Sequence, residues 1–186
     1  MEEAYIYDTV RSPRGKGKKG SLNELSAVTL SAKILKELRE RNSLNTEEIE
    51  DVIWGNVTQV GEQGGCLARS AVIAANYSES TPGLSINRFC ASGLEAVNLA
   101  TNQVKGSAGN AYVAGGVEMM SRVPMGSDGA AIAVDPILAI NSYFVPQGIS
   151  ADILATKYGF SRDDVCLLYT SPSPRDKTVS RMPSSA

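Results

Sequence analysis

Cys90 stands in the stretch Gly83–Gly106, GLSINRFCASGLEAVNLATNQVKG, between a short apolar run (Leu84, Ile86) and a helix signal that begins directly after it. This order predicts a strand, a thiol and then a helix N-terminus. Unpaired backbone N–H groups and the positive end of the helix dipole meet at such a point. They favour the thiolate, the nucleophilic form of cysteine. The competing reading is a small buried structural residue, which for an isolated cysteine in an apolar context is as common. Two further cysteines, Cys66 and Cys166, stand elsewhere, and the 186-residue chain has no histidine. A mechanism that needs an imidazole base or a histidine metal ligand cannot be completed by this chain alone.

Composition narrows the classes of function. The chain is long enough for one good core, or one domain and part of another. It is 42% hydrophobic and 20% charged with a net charge of -2, ordinary values for a globular protein. No global basic surface is present for nucleic acid or an anionic membrane, so neither is expected as a partner. The apolar runs are too short to span a bilayer. The start, MEEAYIYD, lacks the basic and hydrophobic regions of a secretory signal. Three cysteines do not make a disulfide framework, so the expected compartment is the cytoplasm. No metal-binding cluster is read.

The elements that must position Cys90 follow from periodicity and punctuation. Ala4–Asp8 predicts a strand, because Tyr5, Ile6 and Tyr7 favour extended backbone. RSPRGKGKKG then reads as a solvated basic loop rather than a phosphate site. Ser21-Leu22-Asn23-Glu24 has the form of a capping box opening a helix, whose stripe is Leu22, Leu25, Val28, Ala32, Leu35 and Leu38. Asn45-Thr46-Glu47-Glu48 predicts a second cap and a short helix, and Asp51–Val57 around Trp54 predicts a strand. The glycine-rich turn Gly61–Gly65 matches neither G-x-G-x-x-G nor the P-loop. A helix over Cys66–Asn76 follows, with Cys66 as a small core residue. After Cys90, small residues (Ala91, Gly93, Ala96) predict a helix buried on most sides and stopped by Gly106. Ala111–Ala114 predicts another strand, Met119–Gly148 an irregular excursion, and Ser150–Tyr158 a helix. Alternating strands and helices imply an α/β fold with a parallel or mixed sheet covered by helices.

The motif N-R-F-C-A-S-G-L-E-A, followed at the right separation by A-G-G-V-E-M-M-S-R-V-P-M-G, resembles the thiolase family. IYDTVRSPRGKGKKG and VPQGISADILATKYGFSRDDV are similar to thiolases of the acetyl-CoA acetyltransferase and 3-ketoacyl-CoA thiolase kind. The resemblance covers roughly 3–165. It implies an N-terminal α/β domain over 1–118 and the beginning of a loop domain over 119–165. It implies an acyl-CoA acyltransferase of fatty acid metabolism in which Cys90 attacks a 3-ketoacyl-CoA or acetyl-CoA thioester. The acyl-thioester formed would pass to coenzyme A or to a second acetyl-CoA. The Cys90 backbone N–H would supply one oxyanion-hole donor. Coenzyme A and acyl-CoA are then substrates, with no covalently bound cofactor, and no residue is assigned to hold them. A homo-oligomer, dimer or tetramer, is implied for the full-length enzyme.

This sequence departs from the family in places. The G-H-P, N-E-A-F and C-x-G-x-G motifs of thiolase C-terminal halves are absent, so the chain is expected to be a fragment inactive by itself. Gln147-Gly148 stands where many thiolases carry Met-Gly, and Met119 where a Ser is common. Two alternatives share the resemblance: a non-catalytic acyl-CoA- or lipid-binding relative, and a condensing enzyme of the β-ketoacyl synthase kind. The intact N-R-F-C-A-S-G motif argues against both. Ser161-Arg162-Asp163-Asp164 is a further capping box. The prolines of CLLYTSPSPRDKTVSRMPSSA then forbid a regular helix interior. The span 166–186 is therefore expected to be foreign sequence or a disordered tail, in which Cys166 has no role.

Overall fold

The computed structural model describes residues 3–15 and 20–165. The chain divides into two compact units, Met1–Gly129 and Ala130–Ala186. The first holds a three-stranded sheet, β1 (Asp51–Gly55), β2 (Gly83–Ile86) and β3 (Tyr112–Gly116), in the order β2-β1-β3. Both pairings are parallel: Val52 faces Gly83 on one side of β1 and Val113 on the other. The expected parallel or mixed sheet is thus parallel throughout among the described strands.

Three helices cover it: α1 (Ala27–Asn42), α2 (Leu67–Ala74) and α3 (Ser92–Lys105). Because β1 is central, its side chains are buried on both faces, as parallel sheets require. Val52 and Trp54 pack with Leu35 of α1 and Val72 of α2, whereas Ile53 packs with Ala96 and Ala100 of α3. Placing α2 and α3 on opposite faces is what right-handed crossovers demand here. The step from β1 to β2 and the step from β2 back across to β3 run in opposite directions. Buried polar groups are matched: Trp54 Nε1 donates to Ser31 Oγ at 3.1 Å, and Tyr77 Oη to Leu35 O at 2.9 Å. Burial pushes the Tyr77 phenol up to about 12. Arg39 of α1 caps the end of α2, donating to Ala75 O and Asn76 O at 2.9 and 2.7 Å.

Asp51 Oδ1 and Asn56 Oδ1 are exceptions to that matching, both buried without a hydrogen-bond partner. Desolvation pushes the Asp51 carboxyl above the usual range, against the opposing pull of Val52 N–H. A carboxyl raised in the folded state is most favourable when protonated, so its contribution falls as pH rises through that raised value. Asp51→Asn should therefore match the wild type at acidic pH and gain about 1 kcal/mol at neutral pH. Urea unfolding at the two pH values checks this; an equal effect at both would contradict it.

Several local expectations are corrected. Ala4–Asp8 is not a strand. Tyr5, Ile6 and Tyr7 are exposed, and Asp8 Oδ2 accepts from Asn42 Nδ2 at 2.8 Å, holding the segment at the end of α1 instead of on a strand edge. Ser21–Glu24 forms turns, and α1 starts later because Ser26 provides its own cap, accepting from Thr29 N at 3.1 Å. Cys66 is not a core residue. It is exposed at the N-cap of α2 with φ of 58°. Nor is α3 buried on most sides, since Ser92, Ala96 and Ala100 are its buried residues and Leu94 is 65% exposed.

Among the described residues of the second unit are three helices, α4 (Ala131–Val134), α5 (Pro136–Ser142) and α6 (Gln147–Tyr158). Two of them fall inside the stretch expected to be irregular. Asp135 caps α5, accepting from Ile137 N and Leu138 N at 2.9 Å each, and Pro136 takes the first helical position, where its missing N–H costs nothing. Ser161 and Asp164 form the expected reciprocal box, with Asp164 N donating to Ser161 Oγ at 3.2 Å and Ser161 N to Asp164 Oδ2 at 2.8 Å. The tail reading and Cys166 lie outside the described residues. Among those residues no helix is long and apolar enough to cross a membrane.

Candidate functional site

Parallel strands bring their carboxyl ends together, and the crevice outside those ends is where open α/β sheets present their chemistry. Three exits meet there: 56–58 after β1, 87–90 after β2, and 117–118 after β3. Cys90 stands on the second, exposed, one residue before the Ala91 cap of α3. The strand, thiol and helix order expected from the sequence is realised.

The turn that carries the thiol is strained and heavily braced. Phe89, immediately before Cys90, has φ of 48°, in the left-handed region that side chains other than glycine seldom occupy. Such conformations persist when neighbours over-determine them. Here Ser92, 4% exposed, supplies two braces, its Oγ accepting from Arg88 N at 2.8 Å and donating to Phe89 O at 2.6 Å. Ala91 N donates to Arg88 O at 3.1 Å and Ser92 N to Phe89 O at 3.0 Å, so both amides are used inside the turn. Asn87 Oδ1 accepts from Phe89 N at 2.8 Å. Arg88 Nη2 reaches Glu95 Oε1 at 2.9 Å on the exposed side.

Gly55 lets the turn come close. A Cβ on Gly55 would stand 2.5 Å from Ser92 C and 2.6 Å from Gly93 N, so only glycine allows the first turn of α3 to rest on the end of β1.

A second network ties the other two exits. The half-buried Glu118 carboxylate accepts from Val57 N at 2.9 Å, Thr58 N at 3.3 Å and Gln63 Nε2 at 2.7 Å. Gln63, fully buried, also donates to Thr58 O at 2.9 Å and accepts from Met119 N at 2.8 Å. Arg122 Nε adds an ion pair to Glu62 at 2.8 Å, and this hydrogen bond holds the Glu62 carboxyl below its usual range. The glycine-rich turn therefore serves to deliver Gln63.

Sequence reasoning singled out Cys90 but gave no role to Gly55, Gln63, Asn87, Ser92 or Glu118. Asn87 and Ser92 flank the thiol in N-R-F-C-A-S-G, and the tendency of Asn and Ser to bond nearby backbone was the available signal. Cys66 is not brought to the thiol turn. Its Sγ donates to Gly83 O at 3.2 Å, beside the opening residue of β2. A groove of about 920 Å³ runs beside β3 between α1 and α3, lined by residues such as Ile34, Val97 and Thr101, and Cys90 is not among its walls. Among the described residues no cluster of His, Cys, Asp or Glu could hold a metal ion.

The family model described as thiolase, N-terminal domain, matches residues 4–166. A 3-ketoacyl-CoA thiolase of Colwellia psychrerythraea is 38% identical over 166 residues, covering 88% of this chain and 42% of the relative. The same enzyme of Pseudoalteromonas atlantica is 36% identical over 166 residues with the same coverage. That of Idiomarina loihiensis is 34% identical over 164 residues, covering 88% of this chain and 42% of the relative. The chain thus spans less than half the length of these relatives.

Proposed function

This chain belongs to the thiolase family, and from that premise we propose that Cys90 is an acyl-carrying nucleophile. The observation that carries the reading is the placement of an exposed thiol on a braced turn, at the carboxyl end of β2 and the mouth of α3. The thiol sulfur attacks the 3-keto carbonyl of a 3-ketoacyl-CoA, where the acetyl-CoA enolate is the carbon leaving group, or the thioester carbonyl of acetyl-CoA, where the coenzyme A thiolate leaves. Collapse of the tetrahedral adduct expels the carbon or sulfur leaving group and leaves an acyl-thioester on Cys90. Coenzyme A or the enolate of a second acetyl-CoA then takes the acyl group and frees the thiolate. Splitting the transfer in this way divides one hard step into two easier ones. The backbone N–H of Cys90 is the candidate oxyanion donor, since those of Ala91 and Ser92 are engaged within the turn.

The activity belongs to an assembly larger than these 186 residues. Carbonyl attack and leaving-group departure both need proton transfer near neutral pH, and the chain has no histidine. The residues from 119 on are read as the opening of a loop domain over bound acyl-CoA, and the complete enzyme as a homo-oligomer working in the cytoplasm.

Limiting iodoacetamide followed by peptide mass mapping tests the nucleophile. Both Cys66 and Cys90 are exposed, so accessibility alone does not separate them. Cys90 is expected to be labelled first, and preferential labelling of Cys66 would overturn the assignment.

A further inference from the structure

Phe89 holds the left-handed conformation that aims Cys90, and most of its braces are local: Arg88, Ala91 and Ser92 bond one another within the turn. Local bonds can hold a turn's shape without fixing where it sits on the sheet. Asn87 is different because its amide works in two directions. Oδ1 accepts from Phe89 N at 2.8 Å, while Nδ2 donates to Val57 O at 3.2 Å, on the exit of β1. Val57 is itself held, its N–H donating to Glu118 Oε2 at 2.9 Å, on the exit of β3. The line Glu118, Val57, Asn87, Phe89 therefore crosses all three strand exits and ends one residue before the thiol.

We propose that Asn87 is the positioning residue for the Cys90 thiol, bracing the left-handed turn through Phe89 N–H and registering it against the β1 exit through Val57 O. The assignment rests on Cys90 being the reactive group, and it goes further by naming what aims it. Asn87 itself is exposed and touches no reacting atom. It acts through the backbone.

The test is competitive iodoacetamide labelling of the full chain, with Cys66 as the internal reference. Cys66 is bound at Gly83 O, outside this network, so its labelling reports general loosening. In Asn87→Ala the Cys90 rate should fall about tenfold while the Cys66 rate holds, the scale of loss expected when a reacting group is displaced. Asn87→Ser keeps a short side-chain acceptor for Phe89 N and loses the reach to Val57 O, so it should recover only part of the loss, to a Cys90 rate about threefold below wild type. A wild-type Cys90 rate in Asn87→Ala, an equal fall at Cys66, or no recovery in Asn87→Ser overturns the proposal. If Asn87→Ala fails to fold, Asn87→Ser carries the test alone, and a Cys90 rate indistinguishable from wild type overturns it. Failure of the nucleophile assignment would show separately, as preferential labelling of Cys66 in the unmodified protein.

Discussion

Gly55→Ala is expected to destabilise the chain by about 3 kcal/mol and to slow alkylation of Cys90, because the added methyl has nowhere to go. The Cβ would lie 2.5 Å from Ser92 C and 2.7 Å from Ser92 O, and these are backbone atoms that no rotamer change can move. Either α3 lifts from β1, taking the thiol turn with it, or β1 shifts within a sheet that is paired on both sides. A control stands in the same contact. Gly93 is in the first turn of α3, and a Cβ there meets nothing within 4 Å. Gly93→Ala should instead gain up to about 1 kcal/mol from helix propensity. Urea unfolding of the two variants settles the matter, and equal stability of Gly55→Ala and wild type would refute the packing argument.

The second large effect is a complete absence. The purified 186-residue chain should show no coenzyme-A-dependent cleavage of acetoacetyl-CoA, although its thiol is present and exposed. The reason is chemical. A thiolate can open a thioester once, but repeated turnover needs a group that takes and returns protons at each cycle. No imidazole is available in this chain to do so. Robust steady-state thiolysis by a clean preparation would show that another group of this chain fills that role.

Much of the scaffold was legible in the sequence because hydrophobic burial writes itself as period. The stripe Val28, Ala32, Leu35 and Leu38 marks α1, and the run around Trp54 marks β1, whose residues pack to both faces of the sheet. Parallel pairing also follows from the alternation of strands with helices. The boundaries were less legible. Ser21 has the form of a cap, yet Ser26 is the residue that caps α1, directly before the fully buried Ala27. Tyr5, Ile6 and Tyr7 carry strand propensity, yet propensity yields a strand only where a partner edge is taken, and Asp8 is drawn to Asn42 instead.

Of the candidate site, one residue was legible. Cys90 declares itself through its type and its place before a helix. Its supports do not, because they act through backbone bonds and close approach, which leave no hydrophobic period. Nothing in the local sequence says that Gly55 must admit Ser92, or that Gln63 and Glu118 meet across 55 positions. The same holds for Cys66, where an alanine-rich context suggested burial and a left-handed cap at φ of 58° puts the thiol in solvent.

Acyl transfer to the Cys90 thiol can be read directly in one experiment. The chain is incubated with excess acetyl-CoA, where a single acylation needs only the nucleophile and slow loss of its proton to buffer. Peptide mapping then follows, with and without hydroxylamine. An acetyl group is expected on the Cys90 peptide, released by hydroxylamine as a thioester should be, and absent from Cys90→Ala. Acetylation of Cys66 in its place, or a Cys90 peptide that stays unmodified, would contradict it.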